Sequence, residues 1–340
     1  MKSKVLLIYT GGTIGMMADA KSGQLKPFDF KHLTEQIPEL NKFDIELSSV
    51  SFEKPIDSSD MQPSVWVELA KVIERNYNKV DGFVILHGSD TMSFTASVLS
   101  FMLENLNKPV ILTGSQLPIG TIRTDGKENL ITAIEIAGAK EKGKAIITEV
   151  CIYFEYKLYR GNRTHKFNAE HFNAFQSANY PVLAEAGVYI KYNYSALRKG
   201  DTKKLKTHLV LHPEIAILKL FPGITKKVVT AILNTKDVKG VILETFGSGN
   251  ASTEGWFINE IKGAIEKGII VLNVTQCNAG AVVQGKYATS SELKKIGVIS
   301  GNDITTEAAI TKLMFLFGNS NNTKAIEKGL RTDLRGEITV

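Results

Sequence analysis

The sequence predicts an α/β protein of two parallel-sheet domains, a larger N-terminal one and a smaller C-terminal one joined by a linker. Three observations carry this reading. Short apolar runs alternate with stretches of helical periodicity along most of the 340 residues, the alternation weakens once near residues 189–212, and it then resumes. Strands that alternate with helices pair in parallel through right-handed crossovers. In order, Val5–Tyr9 reads as a buried strand and Ser64–Asn76 as a helix, with Val65, Leu69, Val72 and Ile73 on one face. Gly82–Leu86 is a strand, Ser93–Glu104 a helix and Val110–Thr113 a strand. Lys127–Lys142 is a helix with Leu130, Ile134 and Ala137 aligned, and Ala145–Ile152 is a strand. Between Tyr189 and His212, Asn193, Ser195, Gly200, Asp201 and several lysines show no sustained period, as an interdomain connection does. The second series has strands at Ile215–Leu218, Gly240–Glu244 and Ile269–Val274, and helices at Lys226–Leu233, Trp256–Lys267 and Thr305–Phe317. The expected division is 1–190, a linker at 191–212, and 213–340.

Composition narrows the function classes. With 43% hydrophobic and 22% charged residues the chain is not a disordered polymer. Apolar runs such as Val110–Thr113 and Gly268–Val274 are too short to span a bilayer. Two cysteines, Cys151 and Cys277, make no disulfide framework. Met1-Lys2-Ser3-Lys4 is followed by only four apolar residues, which is no signal peptide, so the expected location is cytoplasmic. The net charge of +6 is spread out, with its densest cluster at Lys203-Lys204-Lys206 and no interleaved aromatics. That pattern suits a solvated basic surface rather than a nucleic-acid site. His165 and His171 lack cysteine partners, and H-E-x-x-H, C-x-x-C and G-x-S-x-G are all absent, so no metal site is expected.

Ligands of open parallel sheets bind beyond the carboxyl ends of the strands, which directs attention to the segments there. Tyr9-Thr10-Gly11-Gly12-Thr13-Ile14-Gly15 follows the first strand. Its paired glycines allow close backbone approach to a ligand, and Thr13 is a candidate nucleophile. The run matches neither phosphate-loop pattern. His87-Gly88-Ser89-Asp90-Thr91-Met92 ends the Gly82–Leu86 strand, where Ser89 or Asp90 reads equally as a helix cap. Tyr159-Arg160-Gly161-Asn162-Arg163-Thr164-His165-Lys166 offers Lys166, a catalytic amine or an ordinary solvated one. Asp57-Ser58-Ser59-Asp60-Met61 is a cap-and-turn sequence rich in hydroxyls and carboxylates.

Taken in one order and spacing, these four segments resemble the bacterial type I, cytoplasmic branch of the L-asparaginases. The similarity runs from about residue 4 to Glu337, in Leu334-Arg335-Gly336-Glu337. The resemblance implies hydrolysis of L-asparagine to L-aspartate and ammonia, without metal or organic cofactor, by a homo-oligomer (dimer or tetramer) whose active sites a neighbouring subunit closes. By motif position it makes Thr13 the nucleophile and Ser89, Asp90 and Lys166 a polar relay. Asp57, Ser58 and Ser59 become the substrate-binding turn, with Ser89 and Asp90 also contacting substrate. It implies contributions from Tyr287 and, from a partner subunit, Asn250.

Three departures accompany the resemblance. The family nearly always has threonine where this chain has Ser89, so a methyl that restricts χ1 is lost. Residues 16–28, which resemble the family's mobile loop, contain Gly23-Gln24-Leu25-Lys26-Pro27 and no tyrosine, which shifts attention to Tyr287. Some members bind a second asparagine at an effector pocket with an arginine beside a Thr-Gln-Cys run. Here Thr275-Gln276-Cys277 matches, but the arginine position holds Glu244, which repels a carboxylate. The rival readings are dual asparaginase/glutaminase activity, an amidotransferase subunit (which calls for a further N-terminal domain ahead of a strand that starts near Lys4), and a non-catalytic amino-acid sensor.

Overall fold

The computed structural model describes residues 2–18, 25–27, 37–285 and 288–339. The chain forms two compact units, Met1–Leu209 and Val210–Val340. The first is built on an eight-stranded sheet. Its parallel part comprises β1 (Ser3–Tyr9), β2 (Ile45–Ser51), β3 (Gly82–Leu86), β4 (Val110–Thr113) and β5 (Val150–Phe154). Helices α1 (Pro63–Asn76), α2 (Met92–Met102) and α3 (Gly126–Gly138) connect them. β3, β4 and β5 are buried at every position, because helices cover both faces, and they read in sequence as unbroken apolar runs. Beyond β5 the sheet continues antiparallel through β6 (Lys157–Arg160), β7 (Ala184–Ala186) and β8 (Ile190–Tyr192), giving the order β8-β7-β6-β5-β4-β3-β1-β2.

Three boundaries differ from the sequence reading. α3 stops at Gly138 because Lys142 and Gly143, at φ of 51° and 78°, turn Lys140–Glu141 back onto Lys144–Ala145 as a small hairpin. α2 stops at Met102 because Leu103–Glu104 pairs with Lys206–Thr207. The strand expected at Ala145–Ile152 lies at Val150–Phe154, and Glu155 and Tyr156, both at positive φ, reverse it into β6. The antiparallel edge was invisible to an argument from strand–helix alternation.

Residues 191–209 are held on the first unit by specific bonds. Arg198 N and Arg160 both reach the buried Glu149 carboxylate, with the Arg160 Nε contact at 2.6 Å. Arg160 also donates to the Ala196 carbonyl and lies over the Tyr180 ring. A paired, stacked guanidinium of this kind fixes geometry where a lone buried charge would destabilise it.

The second unit has a four-stranded parallel sheet, β9 (Ile215–Lys219), β10 (Gly240–Thr245), β11 (Ile270–Thr275) and β12 (Ile299–Ser300), in sequential order. Helices α4 (Lys226–Leu233), α5 (Gly255–Glu266), α6 (Ala288–Lys295), α7 (Thr306–Asn319) and α8 (Thr323–Arg331) accompany it. Phe257, Val229, Val241 and Leu293 form the centre of its core.

A fully buried ion pair closes this unit. Lys312 Nζ lies 2.5 Å from Glu337 and also donates to the Thr332 carbonyl at 2.7 Å. Burial pushes the Glu337 carboxyl up, but Lys312 and the Leu334 and Arg335 N–H groups outweigh that and hold it below the usual value. Truncating one partner leaves the other charge buried, so Lys312→Met is expected to destabilise the protein by about 3–5 kcal/mol, read by denaturant unfolding. A depressed carboxylate stabilises the fold above its unfolded pKa, and that contribution is lost as pH falls through its folded value. Glu337→Gln is therefore expected to flatten the acid side of the stability–pH curve, whereas an unchanged acid limb would exclude this linkage.

Candidate active site

The site lies beyond the carboxyl ends of β1 and β3. After β1 the chain turns through Gly11 and Gly12, at φ of 139° and 88°, into a single helical turn, Thr13–Gly15. A Cβ on Gly12 would sit 2.5 Å from the Gly88 nitrogen, and one on Gly88 would sit 2.5 Å from Ser58 Oγ. Only glycines allow the three segments to touch at this point. Thr13 and Ser89 each follow a glycine of this contact, so both hydroxyl residues leave from the same place. The Ile56 N–H donates to the Thr10 carbonyl at 2.8 Å, and the Thr91 hydroxyl donates to the Ser58 carbonyl at 2.7 Å, fixing the 56–60 turn against both neighbours.

Ser89 and Asp90 do not cap α2. Its N-cap residue is Thr91, which makes no side-chain cap bond. Both side chains instead meet Lys166, whose Nζ donates to Ser89 Oγ at 2.8 Å and to Asp90 Oδ1 at 2.6 Å. The Lys166 side chain is 15% exposed and that of Asp90 66%, so the amine lies on the inner side of the pair. Delivery of Lys166 follows from the β5–β6 reversal. Gly161–Arg163 packs on α2, with a Gly161 Cβ position only 2.8 Å from Ala96 Cβ, and the chain then runs toward the N-terminus of α2. There His165–Lys166 pairs with Phe175–Gln176.

Asp57 accepts from the Ser59 N–H at 2.9 Å and the Ser59 hydroxyl at 2.5 Å, which cap the Ser58–Asp60 turn. The Ser59 hydroxyl and N–H hold the Asp57 carboxyl below its ordinary value. Ser58 is buried, while Asp57 and Ser59 are exposed.

Support under the site was not visible in the sequence. His87 is fully buried, which lowers its pKa to about 4 and keeps it neutral. Its Nδ1 is 2.6 Å from the Gly88 carbonyl, which can only accept, so Nδ1 carries the proton. Nε2 then accepts from the Thr95 hydroxyl at 2.9 Å, and that hydroxyl accepts from Trp66 Nε1. The chain Trp66–Thr95–His87 thus fixes the peptide on which Ser89 is mounted. On β4, Gly114–Asp125 is likewise an ordered strand-end loop, tied by the Asp125 carboxylate to the Gln116 and Leu117 N–H groups. Applying the strand-end rule to Val110–Thr113 would have found it.

In the second unit, Asn250 closes a short turn after β10 through paired bonds with Phe246. Glu244 is 8% exposed, with Oε1 accepting from the Thr306 hydroxyl at 2.8 Å and Oε2 lying 3.3 Å from Lys219 Nζ. Gln276 Nε2 spans the Leu220 and Glu244 carbonyls, and Cys277 is exposed. Tyr287 and Gly23-Gln24 lie outside the described residues. Among the described residues no cluster of three or more His, Cys, Asp or Glu could hold a metal ion, and no helix is long and apolar enough to cross a membrane.

Residues 4–198 match the family model for the asparaginase N-terminal domain, and residues 214–330 match that for the glutaminase/asparaginase C-terminal domain. The chain belongs to the asparaginase/glutaminase family. It is 42% identical to L-asparaginase 1 of Escherichia coli, over 99% of this chain and 98% of that protein. It is 41% identical to the mouse 60 kDa lysophospholipase, over 99% of this chain and 63% of that protein. L-asparaginase I of Vibrio cholerae superposes with a TM-score of 0.91 at 38% identity, covering all of both chains. The two-domain asparaginase fold and the family resemblance of the four sequence segments are thereby established. The relatives carry more than one activity name.

Proposed function

We propose that the protein is a cytoplasmic L-asparaginase that works through a threonine acyl-enzyme. The observation that carries this reading is the Lys166–Ser89–Asp90 cluster, mounted on the same glycine contact as Thr13. Thr13 Oγ1 attacks the side-chain amide carbon of asparagine, and its proton passes into the Ser89–Lys166 relay. Collapse of the tetrahedral intermediate breaks the C–N bond, and the relay returns a proton to the departing ammonia. Water then cleaves the aspartyl ester and restores the Thr13 hydroxyl. A backbone N–H of the glycine turn or of the Ser89 region is the donor this reading assigns to the oxyanion, a contact worth about 3–4 kcal/mol.

For the relay to carry the Thr13 proton, Ser89 Oγ accepts it while its own hydroxyl proton passes to Lys166 Nζ across the 2.8 Å contact. The lysine contact also supplies a restraint that the missing methyl does not. Asp90 receives the substrate α-ammonium on its exposed side, and the Ser58–Ser59 turn receives the α-carboxylate. The exposed side chains of Val188, Tyr189 and Tyr194 support burial against another copy of the chain, in keeping with a homo-oligomer.

The test is ammonia release by the wild type from L-asparagine and L-glutamine. Asparagine is the expected substrate, and slower glutamine turnover is expected because one methylene is worth only about 1–3 kcal/mol in a pocket. No turnover of either amide would overturn the reading in favour of a sensor.

The same reading excludes activation by asparagine at the position equivalent to the family's effector pocket. The Glu244 carboxylate stands where a cation would be needed and is already held by Thr306 and Lys219. Saturation by asparagine is expected to be hyperbolic. A Hill coefficient well above one, abolished by substituting Cys277, would contradict this.

A further inference from the structure

Lys166 sits at the base of a hairpin that secures little by itself. Two residue pairs join its strands, His165 with Gln176 and Lys166 with Phe175, and beyond them the Ala174 carbonyl accepts from the Phe167 and Asn168 N–H groups at 2.9 and 3.4 Å. Two-stranded elements are marginal without external support. The base is anchored, because Phe175 is buried against Phe154 with ring centroids 5.0 Å apart. The tip is organised by Asn168 Oδ1, which accepts from the Glu170 and His171 N–H groups at 2.8 Å each. The Gln116 side chain ties this tip to the strand-end loop after β4. Its Nε2 donates to the His171 carbonyl at 3.0 Å and to the Ala169 carbonyl at 3.3 Å. Gln116 is in turn held from behind, its own N–H donating to both Asp125 oxygens at 3.1 and 3.0 Å. Asp125 also accepts from Asn129, which donates to the Gly114 carbonyl.

We infer that Gln116 is a positioning residue for Lys166, clipping the lysine hairpin to the strand-end loop of β4. The inference rests on the proposed function of Lys166. An amide suits this place because both acceptors are carbonyls and one –NH2 group supplies two donors. Losing the clip frees the tip and lets the Lys166 backbone shift relative to Ser89, while Asp57–Ser59 and Asp90 still bind substrate. The expected signature is a fall in kcat with little change in KM. A displacement of well under 1 Å in a catalytic group costs about ten-fold on the scale where 1 Å costs about 10²-fold.

The experiment compares Gln116→Met, Gln116→Glu and Gln116→Lys with the wild type in asparagine turnover and thermal unfolding. Met keeps the length without donors, Glu faces two carbonyls with oxygen, and Lys retains donors. The Met and Glu variants are expected to lose about ten-fold in kcat at unchanged Tm, with KM within about two-fold, and the Lys variant to recover most of the rate. A Met variant as fast as the wild type, or a Lys variant as slow as Met, would overturn the inference. A wild type inert towards asparagine would remove the catalytic reading itself, whereas an active wild type with an indifferent Met variant removes only the role of Gln116.

Discussion

Thr13→Ala is expected to lower asparagine turnover by more than about 10⁴-fold, with the residual rate reflecting binding and electrostatics alone. The hydroxyl is the only group the account allows to form the covalent bond, and the neighbouring hydroxyls have other tasks. Ser89 Oγ is engaged by Lys166, and the Ser59 hydroxyl donates to Asp57. Neither replaces a nucleophile mounted on the Gly11–Gly12 turn. Binding should survive, because the groups assigned to the substrate backbone are untouched. Calorimetry with L-aspartate is therefore expected to give the same affinity for Thr13→Ala as for the wild type. Thr13→Ser should retain a slower reaction, since it keeps the oxygen and loses the χ1 restraint. A Thr13→Ala enzyme with wild-type kcat would end the acyl-enzyme account.

The second large effect is expected at Lys166. Lys166→Met removes both contacts, to Ser89 Oγ and Asp90 Oδ1, and should lower kcat by about 10²–10⁴-fold, the range of a positioned proton-transfer group. Lys166→Arg separates the two ways in which a cation could act. A guanidinium keeps the charge and the donors but does not release a proton in a protein. If Lys166 merely stabilises charge, Arg should recover much of the rate. If it carries the Thr13 proton, Arg should be nearly as slow as Met. The account predicts the second outcome, read as kcat for both variants across pH.

Much of the first unit was legible because its central strands are buried on both faces and therefore spell themselves as apolar runs. β3 and β4 were placed to the residue on that signal alone. β6, β7 and β8 were not, because their formation depends on Glu155 and Tyr156 entering the left-handed region, which no composition rule demands of those residues. The edge strand β2, mostly exposed, carried too few apolar residues to register, and the short α8 was missed although Ile326 and Leu330 stand one turn apart on its buried face. Strand ends and motif order singled out Thr13, Ser89, Asp90 and Lys166, of which Ser89, Asp90 and Lys166 join through side-chain bonds. The physical reason the three segments meet, the close approach of Gly12 to Gly88 and of Gly88 to the Ser58 side chain, is a tertiary fact. The same holds for His87 and Gln116. A neutral buried histidine and a bridging amide are defined by what surrounds them, not by their neighbours in sequence.

The most direct test of the covalent mechanism is partitioning with hydroxylamine. The enzyme is run with L-asparagine and, separately, with the β-methyl ester of L-aspartate, and the ratio of aspartyl hydroxamate to aspartate is measured. If both substrates pass through one Thr13 ester, that ratio is the same for both, because ammonia or methanol has already left when the nucleophiles compete. A ratio that depends on the leaving group, or turnover of asparagine with no hydroxamate formed, would contradict the account.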